Sequence, residues 1–467
     1  MIRLPCRYVL TALGFVGFVF NYTLRININL IITSMTKSKT NTNTTTTELE
    51  ENLFDWDNTA QTIIMSSFYW GYVVFQMPGG RMAEIIGGKK VIGAALGLTA
   101  ALTLLIPEAA KLGGFSAQDF PYYLVAIRVI MGLCEGVTFP AMTSMMARWA
   151  PASERSRMTF LVMAGGQIGT IVGFFISGII VDYLGWEAAF YIEGGATFVW
   201  LALWIFLISD TPDTHPYISK AELEYIKKEL PATREKSLPI PWRSMLTSMP
   251  LWAIFVANVA NNWGFHLLMT ELPQYLKEVF PDYMEKSSVI GLWTAIPYFS
   301  MWLCGFVFSF ICDFLIKWNI LSVKNSRKLF NTLSQTGPAI CLLIIVLSVS
   351  NEEPNLELTL AVFTIGVSLE GALYSGFITN PQDIAPNFAG TVLGITNCAG
   401  AVPGFVAPLI ATSFVNDNPS DVDLWAPVWI IAIAILVAAS LFYIIFADGV
   451  PQEWNYSEEE KQEKQAA

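Results

Sequence analysis

An arginine stands inside a long apolar run near the start of the chain, from Tyr8 to Ile32, as Thr-Leu-Arg25-Ile-Asn. A guanidinium cannot shed its proton, so it must meet water or an anion. Holding it among apolar groups costs roughly 3 kcal/mol on insertion scales. It either snorkels to the interface near a helix end or is a fixed positive charge for a negatively charged passenger. A second constellation is Arg128-Val-Ile-Met131-Gly-Leu-Cys-Glu135-Gly-Val-Thr-Phe139-Pro-Ala-Met-Thr143. Arg128 and Glu135 are seven apart, nearly two helical turns, so they share a face. A carboxylate at that depth is expensive unless paired, hydrated or protonated. It is a candidate to load and release a proton, or a static ion pair that locks two helices. A third group is the turn Gly79-Gly80-Arg81-Met82-Ala83-Glu84-Ile85-Ile86-Gly87-Gly88-Lys89-Lys90. Its glycines allow reversal and close helix approach, and Glu84 can stabilise a helix N-terminus or pair with a basic residue.

The elements that must position these residues are set by composition. Hydrophobic residues make up 54% of the chain, charged residues 14%, and the mean hydropathy is +0.49. That excludes an ordinary soluble protein. Twelve apolar stretches near bilayer-spanning length recur, at about 8–33, 59–79, 90–107, 121–147, 158–183, 187–208, 250–276, 287–315, 329–349, 358–380, 388–414 and 425–446. The first lacks a small-residue cleavage site and reads as a spanning helix. Lys and Arg concentrate in the loops on the side of the N-terminus, which places both termini in the cytoplasm. The six cysteines lie in or beside spanning stretches, so no disulfide framework is expected. Much of the net charge of −11 comes from the acidic tail and loops, and no basic stripe points to nucleic acid.

The expected organisation is a six-helix bundle over 1–208, a cytoplasmic linker with a short amphipathic helix over 209–249, a second six-helix bundle over 250–446, and an acidic tail over 447–467. The outer loop at about 34–58 is of low complexity and carries a glycosylation sequon at Asn43. The halves echo each other: Glu135-Gly136 recurs as Glu370-Gly371, Gly173-Phe174 as Gly404-Phe405, and the loop at Glu84 as a copy at Asp313. Internally repeated membrane bundles are the architecture of alternating-access carriers.

Several stretches resemble the anion:cation symporter family of the major facilitator superfamily, whose members include sialin, the vesicular glutamate transporters and the type I sodium-phosphate cotransporters. They are Leu24-Arg25-Ile-Asn-Ile, Ser67-Phe-Tyr-Trp-Gly-Tyr72, Gln76-Met-Pro-Gly-Gly80, Glu135-Gly-Val-Thr-Phe-Pro-Ala-Met142, Trp149-Ala-Pro-Ala-Ser-Glu-Arg-Ser156, Ser209-Asp-Thr-Pro212, Asn261-Asn-Trp263 and Asp383-Ile-Ala-Pro386. The turn at Glu84 is similar to the superfamily's signature loop, with a degenerate copy at Asp313 and Arg327-Lys328. The resemblance implies an all-α integral membrane protein with the major facilitator fold, twelve transmembrane helices in two pseudo-symmetric six-helix bundles. It places Arg25 where these carriers bind the anionic group, Tyr72 on the cavity wall, and Arg128 and Glu135 on the coupling charges. The chain also departs from the family. Asn261 stands where glutamate carriers have a second substrate arginine. Met65 and Thr143 replace histidines of those carriers, Met131 an acid of sialin, and Pro381 a histidine common in the family.

His266 and Glu271 in the seventh stretch either face a cavity or make helix contacts. Glu370, where the family has a small residue, is an extra ion ligand or a salt-bridge partner, and Glu193 is equally open. The expected function is secondary active transport of a small anion, inorganic phosphate or an organic acid, coupled to sodium or protons. A proton-coupled sialin-like exporter is the near alternative, and an anion channel or a non-transporting receptor the distant one. Only two histidines occur and no metal spacing or nucleophile-base arrangement appears. An enzyme, a metal site and a cofactor are therefore not expected, and a co-transported sodium ion or proton accompanies the small anionic solute. The carrier is expected to be monomeric in its lipid bilayer, at the plasma membrane or a lysosomal or vesicular one.

Overall fold

Apolar runs of bilayer length become helices in the computed structural model of this chain. The structure describes residues 5–36, 53–113, 120–151, 154–229, 240–349, 355–416 and 418–456, and leaves out a few helical side chains, among them those of Arg81 and Glu84. In order, the helices are α1 Cys6–Met35, α2 Asn58–Ile86, α3 Gly88–Leu112, α4 Tyr122–Gly136, α5 Thr138–Trp149, α6 Arg155–Leu184 and α7 Trp186–Leu207. The short α8 Lys220–Glu229 and α9 Trp242–Leu246 follow. The chain continues with α10 Met249–Val279, α11 Ser287–Lys317, α12 Val323–Val349, α13 Leu356–Glu370, α14 Asn380–Ile384, α15 Ala389–Gly400, α16 Pro403–Val415 and α17 Ala426–Phe446. The described residues form no strand; one isolated bridge joins Thr36 to Phe54.

Among the described residues, ten spans are long and apolar enough to cross a membrane. α2 and α10 complete the twelve: at 29 and 31 residues they are long enough, but polar groups dilute them. α10 alone carries Asn258, Asn261, Asn262, His266 and Glu271. Local chemistry sets the ends. Asp57 caps α2 by accepting the Ala60 N–H at 2.7 Å, and Asn355 caps α13 by accepting that of Leu358 at 3.0 Å. Between α2 and α3 the turn is a single residue, Gly87, at φ 102°. The Asp210 carboxyl fills the space where a β-carbon would stand and accepts the Lys89 N–H at 2.7 Å.

The helices approach closely where glycine permits it. α1 packs along α6, and α2 along α4. A β-carbon on Gly136 would lie 2.6 Å from the Tyr72 carbonyl oxygen, so α4 can rest on α2 only without a side chain there. Two buried tryptophans of α7 fill gaps with their N–H groups satisfied: Trp200 donates to the Leu13 carbonyl at 2.9 Å, Trp204 to that of Lys89 at 3.0 Å, and the two rings stack at 5.1 Å.

The chain divides into two compact units, Met1–Arg234 with Met269–Ala295, and Glu235–Leu268 with Ile296–Ala467. The division therefore runs through α10 and α11 rather than through the linker alone. The later part of α10 and the start of α11 are bound into the first unit by polar contacts. Asn29 donates to the Met269 carbonyl at 3.3 Å, Gln274 to Asn58 Oδ1 at 3.1 Å, and Lys277 Nζ to the Thr33 carbonyl. Asp182 accepts the N–H groups of Ser287 and Ser288 at 2.8 and 2.9 Å.

Candidate functional site

Arg25 lies ten residues from the Met35 end of α1, roughly 15 Å at 1.5 Å per residue. It is 5% exposed. That removes the snorkelling alternative. Its Nε donates to Glu135 Oε2 at 3.1 Å, and Asn21 Nδ2, one turn earlier on α1, donates to the same oxygen. Three aromatic rings surround the guanidinium: Tyr22 and Tyr72 at 4.5 Å and Phe68 at 5.0 Å. Such faces accept a cation without offering it a counter-charge. Tyr72 and Arg25 are thus brought together as the sequence suggested.

Arg128 and Glu135 share a face of α4, but they do not bond to each other. Arg128 Nη2 donates to the backbone carbonyl of Arg25 at 3.0 Å, and its guanidinium lies 5.0 Å from the Phe68 ring. Glu135 is fully buried and turns to α1. The cluster therefore holds two permanent cations and one carboxylate. Four of its polar atoms, Arg25 Nη2, Arg128 Nε and Nη1, and Glu135 Oε1, are buried with no hydrogen-bond partner among the described residues. Orphan buried polar atoms of this kind cost about 1–3 kcal/mol each.

Glu193, left open by the sequence, is fully partnered. Asn27 of α1 donates to Oε2 at 2.7 Å and Ser177 of α6 to Oε1 at 2.6 Å. It holds α1, α6 and α7 together. Asn21, Tyr22, Phe68, Asn27 and Ser177 are site residues that sequence reasoning missed. For Asn21 there was a signal, its i, i+4 spacing to Arg25, which places both on one face.

The second unit is arranged differently. Asn261 is buried, and its Oδ1 has no hydrogen-bond partner among the described residues. His266 Nδ1 lies 2.8 Å from the Asn262 carbonyl, one turn back on its own helix, and the ring packs edge-on to Phe265. Asn258 donates to Asn397 at 3.0 Å and accepts from Asn262 at 2.7 Å, an amide chain between α10 and α15. Glu370 is 2% exposed with Oε2 unbonded, at the end of α13. Glu271, in the part of α10 that belongs to the first unit, is fully buried and neither of its oxygens is bonded among the described residues.

Asp313 is exposed on α11. Arg327, its expected loop partner, bonds to Asp383 of the Asp383-Ile-Ala-Pro stretch at 2.7 and 3.4 Å and to the Ser375 carbonyl at 2.9 Å. In the first unit Arg7 bonds to Glu154 at 2.9 Å and to Glu222 of α8 at 3.2 Å. The same Glu222 accepts the backbone N–H groups of Cys6 and Arg7 at the start of α1. The Arg7 guanidinium holds the Glu154 carboxyl below the usual carboxylate range. The Glu84 side chain and Asn43 lie outside the described residues.

The profile described as Major Facilitator Superfamily matches residues 14–408. Human sialin is 40% identical over 402 residues, covering 86% of this chain and 78% of its own. A candidate inorganic phosphate cotransporter of Drosophila ananassae is 36% identical, covering 88% and 84%. Vesicular glutamate transporter 1 of Xenopus tropicalis is 34% identical, covering 99% and 78%. Among solved structures, a bacterial homolog of the human lysosomal transporter Spinster superposes with a TM-score of 0.69 at 12% identity, over 95% of this chain and 97% of that one.

Proposed function

Because this chain belongs to the Major Facilitator Superfamily, and within it to the anion:cation symporter family, we propose a division of labour among its buried charges. The protein is a secondary active transporter of small anions, not an enzyme. Arg25 is the anion-binding residue, Arg128 its supporting cation, and Glu135 the coupling acid. One observation carries this reading: a buried cluster of two guanidiniums contains a single carboxylate, bonded to Arg25 and not to Arg128, with cationic N–H groups of both arginines left unbonded.

The mechanism follows from charge. With Glu135 ionised the cluster sums to +1, and the carboxylate occupies Arg25 Nε. An anion must compete with Glu135 for that donor. A proton on Glu135 removes the competitor and raises the cluster to +2, so proton and anion favour each other's binding. Linkage makes the effect reciprocal: a bound anion strengthens proton binding by the same factor. Carrying both across together is symport. A proton fits this role better than sodium, which needs several oxygen ligands and would stand between two guanidiniums.

α10 carries Asn261 rather than an arginine. This supports a passenger with one anionic group, inorganic phosphate or a monocarboxylate. The Lys and Arg distribution supports cytoplasmic termini and an outer loop carrying Asn43. On that topology the Arg7–Glu154–Glu222 contacts, inside the first unit, and the Arg327–Asp383 contact, inside the second, each tie cytoplasmic helix ends within one unit.

The test is uptake into proteoliposomes of phosphate, sialate, urate and glutamate, with pH and sodium gradients imposed separately. Arg25→Ala abolishes saturable uptake. Glu135→Gln retains anion exchange but loses uphill accumulation driven by pH. Accumulation by Glu135→Gln at every pH and sodium level removes Glu135 from coupling, and a purely sodium-driven wild type replaces the proton.

A further inference from the structure

Glu370 repeats the position of Glu135, at the end of a helix that then breaks: α13 gives way to a tight turn at Gly371–Tyr374. Its surroundings are apolar throughout. Oε1 points at Gly264 of α10, 3.3 Å from where a β-carbon would stand, and Oε2 has no hydrogen-bond partner among the described residues. Beside the carboxyl is a cavity of about 20 Å³, room for one water molecule. Four helices line it, with Gly264 and Leu268 from α10, Pro338 and Cys341 from α12, Phe363 from α13 and Leu436 from α17. Cys341 is the only other titratable group on this wall, and there is no cation. α11 adds Met301 and Gly305 to the turn that follows Glu370, neither of them ionisable. Pro338 contributes no backbone N–H.

A carboxylate in this setting has no counter-charge and no donor, which costs several kcal/mol. The neutral acid avoids that cost. A sodium ion is poorly served, because the wall offers no further side-chain oxygen ligand. Gly264 keeps the space in front of the carboxyl open, where any larger side chain would fill it. We propose that Glu370 is a second proton-binding residue of this carrier, taking up and releasing one proton per transport cycle through the water-sized cavity at Gly264. Only a proton moves: the carboxylate gains it to become the acid and returns it to water. The inference rests on the carrier function but not on the roles of Arg25 and Glu135.

The experiment uses the full-length protein in proteoliposomes. Dicyclohexylcarbodiimide, which reacts with carboxylic acids in apolar surroundings, is mapped by mass spectrometry across a pH series. Labelling at Glu370 is expected to fall as pH rises. Accumulation of radiolabelled phosphate or sialate, whichever the wild type takes up, is measured for Glu370→Gln, whose amide mimics the protonated acid. Loss of one coupled proton lowers the accumulation ratio tenfold per unit of pH gradient. Unchanged accumulation overturns the proposal, as does wild-type labelling that does not vary with pH, and the labelling arm decides even if Glu370→Gln fails to fold. Glu135→Gln is run in parallel. If it loses uphill uptake while Glu370→Gln does not, only this inference fails.

Discussion

Two helix ends in this protein share a backbone design and differ in electrostatics. At the end of α4, Glu135 precedes Gly136, and a β-carbon on that glycine would lie 2.6 Å from the Tyr72 carbonyl oxygen of α2. At the end of α13, Glu370 precedes Gly371, and a β-carbon there would lie 2.6 Å from the Met301 carbonyl oxygen of α11. Both carboxyls are buried. Across from Glu135, however, α1 presents Arg25 and Asn21, whereas across from Glu370, α10 presents Gly264. The fold repeats the socket and changes what faces it. One acid is bonded to a cation and an amide; the other faces a glycine and has an unbonded oxygen.

The sharpest way to break this contrast is to delete the cation. Arg25→Leu strands Glu135 in the interior and is expected to cost about 3–5 kcal/mol, read as thermal unfolding of the purified protein. The double change Arg25→Leu with Glu135→Leu recovers most of that loss, yet neither variant transports. Glu370→Leu, which strands nothing, costs under about 1 kcal/mol. If Glu370→Leu is as damaging as Arg25→Leu, the two sockets are electrostatically alike after all.

The shared backbone is tested next. Gly136→Ala and Gly371→Ala each force two helices apart and are expected to cost about 1–3 kcal/mol in the same assay. A large difference between them would mean that the resemblance stops at the sequence. Smaller still, Arg327→Gln removes the cation from Asp383, which is partly exposed, for about 1 kcal/mol. It should slow turnover more than it changes apparent affinity, and a pure affinity change contradicts a tie at the cytoplasmic ends.

The smallest effect is a pH dependence at the Arg7–Glu154 contact. Glu154 is held below the usual carboxylate range by its bond to Arg7. Its stabilising contribution is therefore complete above the ordinary carboxylate value and is lost as pH falls through the lowered one. Hydrogen exchange of α8, which Tyr225 and Glu222 connect to the same cluster, should rise only under strongly acidic conditions. A rise near neutral pH would assign the contact to a different group.

The sequence showed the charged residues but not their partners. Arg25, Arg128, Glu135 and Glu370 stood out because each interrupts an apolar stretch. That Arg128 and Glu135 share a helix face was also legible, since spacing on one helix is local. The bond from Glu135 to Arg25 joins residues 110 apart and depends on how α1 and α4 pack, which periodicity does not encode. For the same reason Arg327 was assigned to the loop of Asp313, its neighbour in sequence, and not to Asp383, its neighbour in space. The spans are legible even where composition is weakest: the length of α10 shows it despite three asparagines, a histidine and a glutamate in its interior.

The carboxyl of Glu193 has one more consequence. Asn27, which it binds, follows Arg25 by two residues, about 200° around α1. The back of α1 is therefore pinned to α6 and α7 while its front carries the arginine. A switch that spun α1 about its axis would have to break the Asn27 bond to that carboxyl, which Ser177 ties in turn to α6, so rotation of α1 alone is opposed. On the role proposed for Arg25, the moving part would be the guanidinium, swinging on its own stem between a resident acid and an arriving guest.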